Sequence, residues 1–402
     1  PTTEIYTLAL HDALPILTRK YYRTGILLAL ISLTFTVGLS ACKAGPVGIF
    51  ASIAQETDIN KSRTAAFDDT SPDFVGMLGA NYYTIINGTI WTREVSGGAW
   101  GKLATMPTGV SNGTASSAAT IGGGTPTLYV TFGQIGDSAQ KVWATTNGSV
   151  WVTIDATFSD NGQIDSLLST NNELFAVTRV DTTVASVTTT SYSVYHLSGG
   201  FFVSANVTGT SGRPTSMAYD GTDYWLTAGH SVYSGGVLNF DPLGLPENLP
   251  DEIFAGVAID PLDANYTIFT TSSGLSATGT LKPASGRLYR FNGINTWSSS
   301  SPFEKDENPH AFSAPAIVDD GTDTFLLVGT VWGKDAAAAS GYLEFDITGG
   351  FNPAAASAST DSGFADIVNF QTSVSSDSVL AFSVADEGEG EWRVFARTMG
   401  NG

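Results

Sequence analysis

Residues 216–238 read Ser216-Met217-Ala218-Tyr219-Asp220-Gly221-Thr222-Asp223-Tyr224-Trp225-Leu226-Thr227-Ala228-Gly229-His230-Ser231-Val232-Tyr233-Ser234-Gly235-Gly236-Val237-Leu238. Asp-Gly between two apolar runs is a hairpin signal, because a tight turn needs φ > 0, which Gly and Asp tolerate. Tyr224–Ala228 then reads as a second strand and Ser231–Tyr233 as a third, with His230 at the turn between them. Gly235-Gly236 turns the chain into a fourth run that opens at Leu238. The stretch is a complete four-strand unit.

The unit recurs. An aliphatic or β-branched residue followed by an aromatic precedes a Gly-containing turn at Ile90-Trp91, Val142-Trp143, Val194-Tyr195, Val232-Tyr233, Leu288-Tyr289 and Val394-Phe395. Leu343-Glu344 keeps the position and loses the aromatic. The seven copies have a mean spacing of about 51 residues, which fits radial repetition of four-stranded sheets. The fourth runs open at Trp100, Trp151, Phe202, Leu238, Trp297 and Phe351. From residue 73 onward no stretch carries a 3.6-residue apolar stripe, so helices are not expected. A β-sandwich needs only about 7–9 strands and would not repeat at this period. The expected fold is all-β: a seven-bladed β-propeller of four-stranded antiparallel blades over 73–402. The seventh copy breaks off at Asn401-Gly402, the turn before its fourth strand. Either the last blade is incomplete, or an N-terminal strand from within 56–72 closes the ring and removes two open edges.

Composition excludes several function classes. The chain has 402 residues, 18 Lys+Arg against 38 Asp+Glu, a formal charge of −20 and one Cys. An acidic chain lacks the electrostatic footprint of a nucleic-acid binder. A single Cys excludes internal disulfides and cysteine-rich metal sites.

The N-terminal region reads as targeting sequence. Arg19, Lys20 and Arg23 precede an apolar run from Gly25 to Gly38. That run is shorter than the ~20 residues that span a bilayer, so 17–41 is expected to be a removed export signal. Its end, Leu39-Ser40-Ala41-Cys42, resembles the lipobox of bacterial lipoproteins. The resemblance implies that Cys42 becomes the first mature residue and carries the lipid. Each buried acyl CH₂ contributes about 0.8 kcal/mol, so two or three chains anchor stably. Lys43 stands where an Asp would favour inner-membrane retention in enterobacterial-type lipoproteins, which leans the address toward the outer membrane or cell surface. Residues 42–72 read as lipidated Cys and tether. Residues 1–16 look like a translated sequencing-adapter artefact and are set aside.

One turn carries a second resemblance. Thr145-Thr146-Asn147-Gly148-Ser149-Val150-Trp151 resembles a degenerate Asp-box, the third-to-fourth-strand turn of sialidase-like repeat propellers. It is one residue short and has Asn for Asp, so the likeness covers layout and not chemistry.

Candidate chemistry is sparse. Sialidase-type hydrolysis, by that resemblance, would need three converging arginines, and Arg93, Arg179, Arg213, Arg287, Arg290, Arg393 and Arg397 do not follow the pattern. His196, His230 and His310 share no metal-ligand spacing. Gly122-Gly123-Gly124 reads as a hairpin turn, since no helix follows to make a phosphate cradle. Asp386 to Glu391 and Asp319 to Asp323 are acidic turns that miss the calcium-loop pattern. No catalytic, cofactor or metal residue is assigned; Cys42 is the one site, as lipid attachment. The longest inserts, Asp181–Thr190, Ser272–Ser285 and Phe303–Pro309, are where binding function is expected. The expectation is a monomeric, envelope-anchored, non-enzymatic module for a protein or glycan partner, held to the membrane by its lipid. The alternatives are a glycan-acting propeller enzyme and an outer-membrane assembly scaffold.

Overall fold

The computed structural model describes residues 74–107, 115–133, 141–154, 156–207, 212–243, 252–259, 268–275, 281–291, 297–300, 311–319, 324–331, 342–348, 366–368, 379–388 and 391–398. All lie in the second of two compact units, Arg63–Gly402; the first is Pro1–Ser62. The expected signal, the tether, Cys42 and the 56–72 strand fall outside the described residues.

All regular structure among the described residues is β-strand, arranged as successive antiparallel meanders. The first sheet is β1 (Phe74–Leu78), β2 (Asn81–Ile86), β3 (Thr89–Glu94) and β4 (Gly101–Lys102). The second is β5 (Ala115–Ile121), β6 (Thr127–Phe132), β7 (Lys141–Thr145) and β8 (Val152–Ile154). The third meander is β9 (Gln163–Thr170), β10 (Glu173–Val184), β11 (Val187–Ser198) and β12 (Phe201–Val207). The fourth is β13 (Pro214–Tyr219), β14 (Tyr224–Ala228), β15 (Ser231–Gly236) and β16 (Asn239–Pro242). The fifth is β17 (Glu252–Ile259), β18 (Ile268–Leu275), β19 (Leu281–Phe291) and β20 (Trp297–Ser300). The sixth is β21 (Ala311–Asp319), β22 (Thr324–Val331), β23 (Tyr342–Asp346) and β24 (Asp366–Val368). The last is β25 (Val379–Gly388) paired with β26 (Glu391–Thr398).

In the first four meanders and the sixth, the second strand is the most buried within its sheet. Every residue of β6 and of β14 is buried, as their unbroken apolar, aromatic and β-branched runs require. The turns follow local chemistry. Asp220 accepts the N–H groups of Thr222 and Asp223, both at 2.8 Å, and its other oxygen accepts Trp225 Nε1–H at 2.7 Å. Asn87-Gly88, with φ of 49° and 73°, makes the tight turn between β2 and β3.

First strands touch in sequence, β1 to β5, β9, β13, β17, β21 and β25, and β25 also touches β1, so the order closes on itself. Small residues allow the approach: a Cβ on Gly76 would overlap the Thr120 side chain, and one on Gly256 would overlap Ala314. Hydrophobic clusters fill the spaces between neighbouring sheets, such as Tyr129 and Val142 against Leu167 and Tyr195. The last and first sheets meet through Tyr82, Ile86 and Trp100 with Ala385 and Phe395. The Tyr82 and Phe395 rings are edge to face, 4.8 Å apart, a pair worth ~0.5–1.5 kcal/mol beyond its buried area.

Three features differ from the repeat expected from sequence. First, the third and fourth meanders form one eight-stranded sheet, because the end of β12 leaves β11 and pairs in parallel with β16 (Asn206↔Asn239, Val207↔Phe240). Second, the fourth strand of the sixth sheet is β24, well beyond Phe351, and the Ala- and Ser-rich sequence after Phe351 has no period-2 apolar pattern to extend. Third, the last sheet has two strands among the described residues, and β25 takes the place of a first strand, touching β21 and β1, so Val394-Phe395 lies on the second strand of its sheet and not on a third. A further regularity was not foreseen: five successive first strands carry a bulge opposite the same step of their partner. The extra residues are Ser116, Asp165, Thr215, Ala255 and the pair Ser313-Ala314. A bulge adds a residue and increases the local twist. Hydroxyls at these sites tie back to the second strand: Ser116 Oγ to Thr131 Oγ1 at 2.7 Å and Thr215 Oγ1 to Thr227 Oγ1 at 2.9 Å.

Candidate functional site

In each meander the second-to-third turn and the chain leaving the fourth strand share one rim. On that rim the third meander stands apart. β10 and β11 have twelve residues each, against five each for β14 and β7, and their ladder runs unbroken to Val184↔Val187. Pairing to β9 stops at Arg179 and pairing to β12 stops at Val194, so the outer half is a projecting two-stranded arm. Ala185 and Ser186 form its tip with φ of 50° and 63°, a primed turn built without Gly or Asn.

Alternation splits the arm into two faces. One carries the pairs Arg179↔Tyr192, Asp181↔Thr190 and Thr183↔Thr188. Arg179 grips Asp181 with both arms of its fork, at 3.0 and 2.7 Å, and Thr190 Oγ1–H donates to Asp181 at 2.6 Å. These hydrogen bonds, from Arg179 first and then Thr190, hold the Asp181 carboxyl below its ordinary pKa. Thr183 and Thr188 bond to each other at 2.9 Å. The other face presents Val180, Thr182, Val184, Val187, Thr189 and Ser191. Val184 and Val187 at its end are about two-thirds exposed (68% and 66%).

The base of the arm is braced by buried charge. Asp165, the bulged residue of β9, accepts Arg213 Nε–H at 2.6 Å; its side chain is 6% exposed. Asp160, in the connection before β9, accepts the Gly162 N–H and the Thr178 hydroxyl, each at 2.8 Å. Burial pushes its pKa up, but the hydrogen bonds from Gly162, Thr178, Ser193 and Tyr195 outweigh it, and the carboxyl lies below its ordinary value. Phe158 packs beside it on Tyr195, ring centroids 4.8 Å apart.

The opposite rim holds the turn that resembles an Asp-box. Asn147 Oδ1 accepts the N–H groups of Ser149 and Val150 at 2.9 Å, and Thr145 Oγ1 accepts Gly148 N–H at 2.9 Å. Trp151 Nε1–H donates to the Thr105 carbonyl at 3.0 Å and its ring meets Phe132 edge to face. The turn thus works as a latch between the first two sheets. His196, also toward this rim, is buried against Phe175 and lies 2.7 Å from Glu173. Tyr224 accepts Asn171 Nδ2–H at 3.2 Å; burial raises its pKa.

The sequence-level candidates separate in space. Arg93 is buried at the seam of the first and last sheets; burial, and then the charge of Arg393, lower its pKa. Arg393 lies over the Tyr82 ring at 5.9 Å. Arg179 and Arg213 serve the third and fourth meanders, and Arg287 and Arg290 lie on β19. His230 sits at the turn between β14 and β15, as its position in the sequence implies. Gly122–Gly124 lies in the turn between β5 and β6. Asp386 begins the outer end of the last hairpin, and Asp319 ends β21. His310 and the insert Phe303–Pro309 lie outside the described residues. Of the other inserts, Asp181–Thr190 is strand and turn rather than loop. The described ends of Ser272–Ser285 lie on β18 and β19, paired as far as Leu275↔Leu281. Among the described residues no group of three or more His, Cys, Asp or Glu is placed to hold a metal ion.

No protein-family model matches the chain, and no curated protein matches it in sequence. Solved structures share part of its layout at low identity. The N-terminal domain of Nup159 is 10% identical with a TM-score of 0.45, over 85% of this chain and 89% of that one. The computationally designed Ika8 protein is 10% identical with a TM-score of 0.44, over 82% and 96%. Luciferin-regenerating enzyme is 11% identical with a TM-score of 0.41, over 68% and 86%.

Proposed function

We propose that the chain is a bacterial lipoprotein in which a seven-bladed β-propeller, anchored through lipid on Cys42, is a non-enzymatic binding or scaffolding module. Seven sequence copies at one period, and first strands that touch in cyclic order, support the propeller. The Leu39-Ser40-Ala41-Cys42 motif supports the anchor and an envelope address. The observation that carries the binding reading is the contrast between two regions. On the frame, Asp160, Asp165, Arg213, Glu173 and His196 engage one another or neighbouring backbone and hydroxyls. The β10–β11 arm instead projects an uncharged face of Val, Thr and Ser toward solvent. A face of this kind offers shape and hydrogen bonds to a protein or glycan, not acid–base chemistry.

Two measurements test the reading. Cys42→Ser should move the full chain from the membrane fraction to the soluble fraction and abolish palmitate labelling; unchanged partition refutes the anchor. Incubation of the purified chain with glycan and peptide libraries should give binding without turnover. Turnover that survives repurification replaces the binding module with an enzyme.

A further inference from the structure

We propose that the chain self-associates as a two-fold dimer through the open edge of β11, each copy adding its strand to the other's sheet. The proposal goes beyond anchoring and foreign-partner binding, and it departs from the monomer expected from sequence.

The edge exists because β12 leaves it. β12 pairs with β11 from Ser198↔Phe201 to Val194↔Ala205, then turns away to pair with β16. Among the described residues, Val187–Ser193 pair only with β10. The direction of the free backbone groups follows from the turns. The two-residue tip makes Val184↔Val187 a hydrogen-bonded pair, so Thr188, Thr190 and Tyr192 fall in the alternate pairs. Their N–H and C=O groups point away from β10. The Gly199-Gly200 turn gives the same phase, since its closing residue Ser198 must face β12.

These three residues define one symmetric register. Antiparallel self-pairing centred on Thr190 sets Thr190 opposite Thr190 and Thr188 opposite Tyr192. It uses every outward N–H and C=O of both edges. The intervening pairs are Thr189 with Ser191 and Val187 with Ser193. No pair is charged, and β-branched and aromatic residues favour cross-strand contact. Natural edges are blunted by Lys, Pro or inward charge; Val187–Ser193 has none of these.

A second copy also suits the electrostatics. Each chain carries −20, which opposes association of the bodies. The two-fold axis lies four residues along β11 from Val194, or about 13 Å at ~3.4 Å per residue. The bodies extend in opposite directions from it and start about 27 Å apart, several times the ~8 Å screening length at physiological salt. Strand addition over seven residues buries less than the ~1,200 Å² of a stable interface, so the dimer is concentration-dependent.

The test places a single thiol on the edge of the full chain. In a Cys42→Ser background, Thr190→Cys should give a disulfide-linked dimer under mild oxidation, because directly opposed Cα atoms in such a pair are ~5.5 Å apart. Thr182→Cys, on β10, should give none. Sedimentation of the Cys42→Ser chain should show dimer increasing with concentration and with added NaCl. Thr190→Pro removes an outward N–H and no main-chain bond within the hairpin, and should weaken association roughly tenfold or more; Thr190→Val, which loses only the hydroxyl bond to Asp181, should leave it unchanged. If the Thr190→Pro chain loses thermal stability, the cross-link decides. A chain with no detectable dimer at about 1 mM and high salt overturns the proposal, given that association in the range of about μM to mM is what so small an interface allows. So do equal cross-linking at positions 182 and 190, undiminished dimer in a folded Thr190→Pro chain, and cross-linking of position 190 to a different protein.

Discussion

Replacing Asp160 by Ala should lower the melting temperature by about 4 °C, as follows from its hydrogen bonds. The carboxylate accepts Gly162 N–H and Thr178 Oγ1–H at 2.8 Å each, and Thr178 is fully buried. Hydrogen bonds to a charged group contribute roughly 1.5–3 kcal/mol each, and a buried hydroxyl left unpaired costs roughly 1–3 kcal/mol. Asp160 is only partly shielded from solvent, so the sum is discounted to about 3 kcal/mol. A unit of about 330 residues unfolds with an entropy near 0.7 kcal/mol/K, which converts 3 kcal/mol to ~4 °C. Scanning calorimetry at neutral pH measures it, with Asp181→Ala on the arm as a control expected to shift far less. The pH dependence gives a second arm. The folded pKa is depressed, so the stabilisation is present above the unfolded value of about 3.9 and is lost as pH falls through the folded one. The gap between the parent and Asp160→Asn should therefore narrow as pH drops from about 5 to about 3. A shift under about 1 °C for Asp160→Ala, or a gap that stays constant with acid, refutes the account.

Three further variants test the latch and the brace. Asn147→Ala removes the acceptor for Ser149 and Val150 and should cost about 1 kcal/mol, whereas Asn147→Asp should stay within about 0.5 kcal/mol, by chemical denaturation. Gly148→Ala places a Cβ on the Tyr83 hydroxyl at a φ of +71° and should cost about 2–4 kcal/mol, part of which Tyr83→Phe should restore in a double-mutant cycle. Arg213→Ala leaves the Asp165 carboxylate unpaired at 6% exposure and should cost about 2 kcal/mol; adding Asp165→Ala should recover some of it.

Much of the strand layout was legible in the sequence, for a physical reason. A second strand buried on both faces, such as Tyr224–Ala228, must be apolar throughout, and Asp220-Gly221 or Gly199-Gly200 can only be turns. The Asn147 latch was legible because its side chain acts within three residues. What escaped is non-local or compositionally silent. A bulge at Ser116 or Thr215 adds one residue with no change of residue type. The departure of β12 toward β16 depends on two backbones distant in sequence, and Asn206-Val207 carries no mark of it. The Asp165–Arg213 pair spans two meanders. The arm read as a loop because Ala185-Ser186 lacks the Gly or Asn of a primed turn, although the density of Val and Thr around it was a strand signal. Cys42 was legible as a motif, and its role rests on that motif alone.

The β12–β16 pairing limits how this molecule can change by duplication. Other neighbouring sheets meet chiefly through side chains, with single main-chain bonds such as Ala115 N–H to the Gly88 carbonyl and Phe254 N–H to the Gly229 carbonyl, so a copy inserted or lost between them need re-form little beyond an apolar contact. Between the third and fourth meanders the join is main-chain hydrogen bonding in a fixed register. A unit cannot be slipped in there without severing it, and neither half can be lent alone to another protein without exposing a raw edge. Recombination should therefore treat Gln163–Pro242 as one indivisible block, about one and a half times the mean repeat.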